Sequence, residues 1–139
     1  MDGSIPVPVP AGDRPSGLLL SRDLIFTSKV TGTARELGYQ VMTAGNSALA
    51  AAMIGQWTPK VVFVDLAAGD LVSLPALLAY RQAAGPGVPF VAFGPHVDTN
   101  ALDSARAAGC DEVLFRSAFA ANLPALVRKY FGEGPAKTE

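Results

Sequence analysis

Asp65 stands at the end of Val61-Val62-Phe63-Val64. That run is short, apolar and β-branched, the pattern of a strand buried on both faces. It delivers one carboxylate to the strand's C-terminal end, where open parallel α/β sheets build their sites. A carboxylate there can accept a phosphoryl group, bind a metal ion or cap a helix. The choice depends on what ends the neighbouring strands. Those ends read Ser21-Arg22-Asp23, Gly94-Pro95-His96 and Arg116-Ser117. Arg22 or Arg116 can pair with Asp65, and two guanidiniums in one crevice could instead hold an anion.

The elements that position these residues alternate along the chain. Leu18-Leu19-Leu20 is a first short strand. A helix follows from Leu24 to Leu37, with Ile25, Val30, Ala34 and Leu37 near helical spacing and Gly38 as its C′ residue. Gly32 inside it costs stability relative to alanine, and close packing on the sheet would account for it. Tyr39 to Thr43 is the second strand. Asn46 or Ser47 caps a helix over residues 48–54, and Val61 to Val64 is the third strand. Ser73 caps a helix with Pro75 in its first turn. Phe90 to Phe93 is the fourth strand, followed by a helix over residues 101–108. Glu112 to Phe115 is the fifth strand, and the last helix runs from Asn122 to Phe131. Five such units imply an α/β fold, a flavodoxin-like doubly wound parallel sheet of order 2-1-3-4-5 with helices on both faces.

Bulk composition narrows the function. A length of 139 residues suits one domain, here residues 17–131. Eleven basic and 12 acidic residues give a net charge of −1, with no basic run to suit nucleic acid. Cys110 is the one cysteine, so an internal disulfide is excluded and a cytoplasmic setting is expected. No apolar run reaches the roughly 18–20 residues of a membrane span, and no signal-peptide pattern opens the chain. Residues 1–16, rich in proline, are expected to be a disordered tail or linker, with Pro-Val-Pro-Val-Pro as a conceivable polyproline ligand. Residues 132–139 are expected to be a polar tail.

Catalytic signatures are missing. No glycine-rich phosphate loop follows the first strand, and no G-x-S-x-G or serine–histidine–acid set is legible. His96 has no cysteine or histidine partner in sequence and is expected at the surface. Trp57, beside Thr58-Pro59, is expected to pack over the start of the third strand.

The order and spacing of the units, with two local runs, resemble the receiver domain of two-component response regulators. Asp65 lies 44 residues after Ser21, Gly94 lies 29 after Asp65, and Arg116 lies 22 after Gly94. Residues Ala108-Gly109-Cys110-Asp111-Glu112-Val113-Leu114 are similar to the family's approach to its fifth strand, and Val88-Pro89-Phe90-Val91-Ala92-Phe93 to its fourth. The resemblance covers residues 18–131. It implies that Asp65 occupies the phospho-acceptor position, in a vestigial form.

The departures from the family pattern define the functional expectation. The acidic pair that holds magnesium in active receivers is replaced by Ser21 and Arg22, and Asp23, one residue on, is expected to point elsewhere. A serine and an arginine cannot hold a hard divalent ion. The hydroxyl after the fourth strand is replaced by Gly94, the lysine after the fifth by Arg116, and the switch aromatic by Val113. The expectation is therefore a degenerate, non-enzymatic receiver-like domain without metal or cofactor. It would act as a protein-interaction module in bacterial-type signalling, with another signalling protein as partner. By the same resemblance its face is the fourth helix, fifth strand and last helix, offering Arg106, Arg128, Lys129 and Tyr130 to that partner or to a second copy. Neither nucleic acid nor a membrane is expected as a partner. The alternative is a stand-alone receiver phosphorylated on Asp65, with Asp23 and water as unusual metal ligands.

Overall fold

Short β-branched and leucine-rich runs alternate with helices to build a three-layer structure. The computed structural model describes residues 7–12 and 15–131. Strands β1 (Ser16–Leu20), β2 (Gln40–Ala44), β3 (Val62–Asp65), β4 (Phe90–Gly94) and β5 (Glu112–Phe115) form one sheet. All neighbours pair in parallel, in the order β2-β1-β3-β4-β5. This is the expected 2-1-3-4-5 arrangement. The three central strands are buried along their whole length, whereas β2 and β5 are partly exposed, as edge strands must be.

Alternation within the strands splits the core in two. Leu18, Leu20, Val62, Val64, Phe90 and Ala92 pack with residues of α2 (Ser47–Gln56), α3 (Leu74–Ala84) and α4 (Thr99–Ala107). Leu19, Phe63, Val91 and Phe93 pack with residues of α1 (Leu24–Glu36), α5 (Arg116–Ala121) and α6 (Leu123–Phe131). Each of these valine, leucine and phenylalanine side chains, fully buried, contributes roughly 1.5–3 kcal/mol. Beneath the C-terminal edge, Phe93 stacks on Phe119 at 4.0 Å, and Phe26 and Phe63 complete the aromatic group.

Four helices start on a side-chain cap. Asp23, Asn46, Ser73 and Asp98 each accept a hydrogen bond from the amide three residues on. Each cap is worth about 0.5–2 kcal/mol relative to alanine. Gly38 ends α1 with φ of 89°, the left-handed conformation expected of a C′ glycine.

Several expectations change. Ser16 is not tail but the first, buried residue of β1. Residues 7–12 are not a free tail either, because Val7 packs on the core and Trp57 bonds Pro8. Gly32 meets nothing within 4 Å of where a Cβ would stand, so close packing does not explain it. The chain re-enters a helix at once after β5, and α5 brings Phe119 into the core. A 3-10 turn over Gly69–Val72 was not legible from periodicity. The expected polar tail, residues 132–139, lies outside the described residues, as do residues 1–6 of the expected disordered one.

Candidate functional site

The loop after β1 carries Ser21, Arg22 and Asp23 to the C-terminal edge of the sheet, beside Asp65 at the end of β3 and Arg116 after β5. Asp65 is 1% exposed. Its Oδ2 accepts a hydrogen bond of 2.7 Å from Ser21 Oγ. Its Oδ1 accepts one of 3.0 Å from the Ala67 amide and lies 3.8 Å from Arg116 Nη1. Both carboxylate oxygens therefore have protein donors, the requirement for a buried charge.

Arg116, not Arg22, supplies the neighbouring cation. Its Nη2 pairs with Asp23 Oδ2 at 2.8 Å, and its guanidinium lies 4.6 Å from the centre of the Phe26 ring. The planar fork thus reaches two carboxylates while stacking on an aromatic face, which an ammonium could not do. Asp23 faces this cluster, contrary to the expectation that it points elsewhere. Its Oδ1 caps α1 through the Phe26 amide. That hydrogen bond, and then the Arg116 guanidinium, hold its carboxyl below the usual aspartate value. The N-cap signature of an aspartate before an apolar helical run was the available signal.

Arg22 turns away from Asp65. Its Nε donates to the Gly45 carbonyl at 2.9 Å and its Nη1 to the Ala68 carbonyl at 3.0 Å, with Asp70 Oδ1 at 2.8 Å. It ties the loops after β2 and β3 together. The expected Arg22–Asp65 pair is not formed, and the two arginines do not converge on a shared anion crevice. Asp70, in the unforeseen 3-10 turn, captures the cation instead.

Gly94 is packed tightly against Leu66. A Cβ there would stand 3.1 Å from Leu66 Cβ and 3.3 Å from Leu66 Cδ1. Leu66, which sequence reasoning passed over, occupies the space a hydroxyl-bearing side chain would need. Val113 is half-buried and packs on the cluster shared by α3 and α4. Phe115 is the exposed aromatic of β5, edge-on to His96 with ring centres 6.0 Å apart. Phe26, Pro95, His96, Phe115, Arg116 and Ser117 line an open groove of about 330 Å³. His96 is at the surface, as expected.

The expected interaction face is partly occupied by its own contacts. Lys129 Nζ lies 2.8 Å from Glu112 Oε2, and the Tyr130 hydroxyl donates to the same oxygen. Burial, then the Glu112 bond, pushes Tyr130 up to about 12. Burial raises Glu112, but the hydrogen bonds from Lys129 and Tyr130 outweigh it and hold the carboxyl below its usual value. Tyr130 is half-buried rather than exposed, and Arg106 pairs with Asp103 at 2.9 Å. Arg128 is exposed, while Leu102, Leu123 and Leu126 are core. Cys110 is half-buried, and burial pushes its thiol up to about 11, which suits a structural role.

No helix of the described residues is long and apolar enough to cross a membrane. No protein-family model and no curated protein matches the sequence. Solved structures do match in shape. A CheY-like response regulator receiver domain protein from Methanospirillum hungatei superposes with a TM-score of 0.73 at 15% identity, covering 87% of this chain and 96% of that one. A response regulator from Thermotoga maritima gives a TM-score of 0.70 at 20% identity, covering 86% and 98%. The receiver domain of a sensor histidine kinase from Pseudomonas aeruginosa, with a magnesium ion in its active-site cleft, gives 0.71 at 18% identity, covering 86% and 98%. The fold is that of response regulator receiver domains.

The magnesium ion implied by that fold does not fit the donors here. Asp65 is enclosed, its oxygens face a hydroxyl, an amide and a guanidinium, and Asp23 is bound to Phe26 and Arg116. A hard cation needs oxygen ligands free to turn toward it, and a fixed guanidinium opposes it electrostatically.

Proposed function

We propose that this receiver-fold chain is a signalling domain without magnesium-dependent phosphotransfer, acting in the cytoplasm as a non-enzymatic protein-interaction module. The burial of Asp65 among Ser21, Ala67 and Arg116 carries this reading. A phosphoryl donor needs an exposed carboxylate oxygen, and a metal is needed to neutralise charge on the transferring group. Gly94 lacks the hydroxyl that would hold the phosphoryl group, and Leu66 closes the space. The proposed contact face is α4, β5 and α6, toward another signalling protein or a second copy. Arg128 is its exposed cation, and Arg106, Lys129 and Tyr130 would exchange Asp103 and Glu112 for partner groups.

A competing reading, phosphorylation of Asp65 with Asp23 as metal ligand, is favoured by one observation. Asp23 shares Arg116 with Asp65, so both carboxylates border the same crevice. Incubation with acetyl phosphate and magnesium, read by intact mass, separates the two. No added mass is expected. A phosphoryl increment that disappears in Asp65→Asn establishes the competing reading.

A further inference from the structure

Residues 7–11 are bound through contacts that match their own unusual chemistry. In Val7-Pro8-Val9-Pro10-Ala11 the prolines lack amide hydrogens and have fixed φ, so the segment cannot extend the sheet by an ordinary ladder. It offers carbonyls, the apolar side chains of Val7 and Val9, and a non-proline amide at Ala11. The protein supplies the complement of each. Trp57 Nε1 donates to the Pro8 carbonyl at 3.0 Å. The Gln40 side chain clamps Ala11 at both ends, Nε2 donating to its carbonyl at 3.0 Å and Oε1 accepting from its amide at 3.3 Å. Val7 packs on the core cluster that Met42, Leu49 and Trp57 also border, while Val9 points to solvent.

We propose that the surface carrying Trp57 and Gln40 is a receptor for an extended proline-alternating peptide, held closed in this molecule by residues 7–11. A stiff extended proline-rich segment loses little conformational entropy on binding, and an aromatic N–H directed at its carbonyl is an effective recognition group. The preferred partner carries an apolar residue, proline next, and a non-proline residue four positions after the first. This site lies on α2 and β2, away from Asp65, so it stands whether or not phosphotransfer is lost.

The test uses the full chain, whose single tryptophan is the reporter. Val7→Asp should eject the segment. Trp57 emission should shift to the red and acrylamide quenching should rise, with far-ultraviolet dichroism unchanged. A synthetic peptide of residues 1–12 should then reverse both changes saturably, and the same peptide carrying Val7→Asp should not. Should Val7→Asp fail to fold, Gln40→Ala carries the test. In it the Ala11 amide should lose roughly tenfold protection from exchange, the worth of one or two net hydrogen bonds, and the added peptide should compete. Trp57 fluorescence unmoved in a folded Val7→Asp, or no saturable response to the peptide, overturns the proposal.

Discussion

Ser21 and Asp65, 44 residues apart, are joined by a hydrogen bond of 2.7 Å between two buried side chains. The hydroxyl stands where the resemblance implies a carboxylate, and it donates where a carboxylate would repel. Ser21→Ala leaves Asp65 Oδ2 without its donor and also frees the Asp23 amide that Ser21 Oγ accepts from. The expected cost is about 1–3 kcal/mol, read from the urea midpoint at unchanged m-value. A midpoint equal to wild type would show that this bond does not hold the crevice.

Restoring the missing hydroxyl should also destabilise. Gly94→Ser places a Cβ 3.1 Å from Leu66 Cβ, so Leu66 must give by a few tenths of an ångström to admit it. Overpacking of this kind costs about 1–3 kcal/mol. Leu66→Ala alone should cost about 2–5 kcal/mol, but the double variant should lose less than the sum, since truncation removes the Cδ1 contact. Additive losses in a double-mutant cycle would refute the steric account.

Asp23 gives a pH signature. Its folded-state pKa lies below the usual 3.8, so its charge stabilises the fold above that value. This contribution is lost as pH falls through the lower, folded value. Asn is also a good cap, so Asp23→Asn should keep the α1 start while losing the charge pairing with Arg116. The stability gap between wild type and Asp23→Asn should therefore be present near neutral pH and close in acid. A gap that is constant with pH would remove the ion pair from the explanation.

Gly32 offers a stabilising substitution. It lies inside α1, and a Cβ there meets nothing within 4 Å. Gly32→Ala is expected to raise stability by about 0.5–1 kcal/mol by removing unfolded-chain freedom. A lower thermal midpoint would mean that the residue is constrained by a contact outside the described fold.

The fold was legible because its signals are local. The apolar runs, the caps at Asn46 and Ser73, and Gly38 each depend on a few neighbouring residues. The site was only half legible. Which residues reach the crevice follows from topology, but Arg22 and Arg116 differ in partner because of Asp70 and Phe26, and long side chains choose partners by three-dimensional reach. Asp23 was misjudged by assuming that one step along the chain turns a side chain away. That holds within a strand, whereas Asp23 sits at a helix cap beyond one. Helix α5 was hidden because Arg116–Ala121 is too short to show a period. The segment at residues 7–12 was read from its composition alone, which carries no information about Trp57 or Gln40.

The Asp23–Arg116 pair spans 93 residues and bridges the first and last strands' loops. Such a tie is expected to form only once β3 and β4 join β1 to β5, because its loop-closure entropy is offset by nothing local. The crevice is thus expected to behave as a late-fastening clasp, absent from the folding barrier and present in the finished molecule. Arg116→Ala should accordingly hasten unfolding far more than it slows refolding in stopped-flow traces. The cluster that holds Asp65 would then serve as a brake on disassembly.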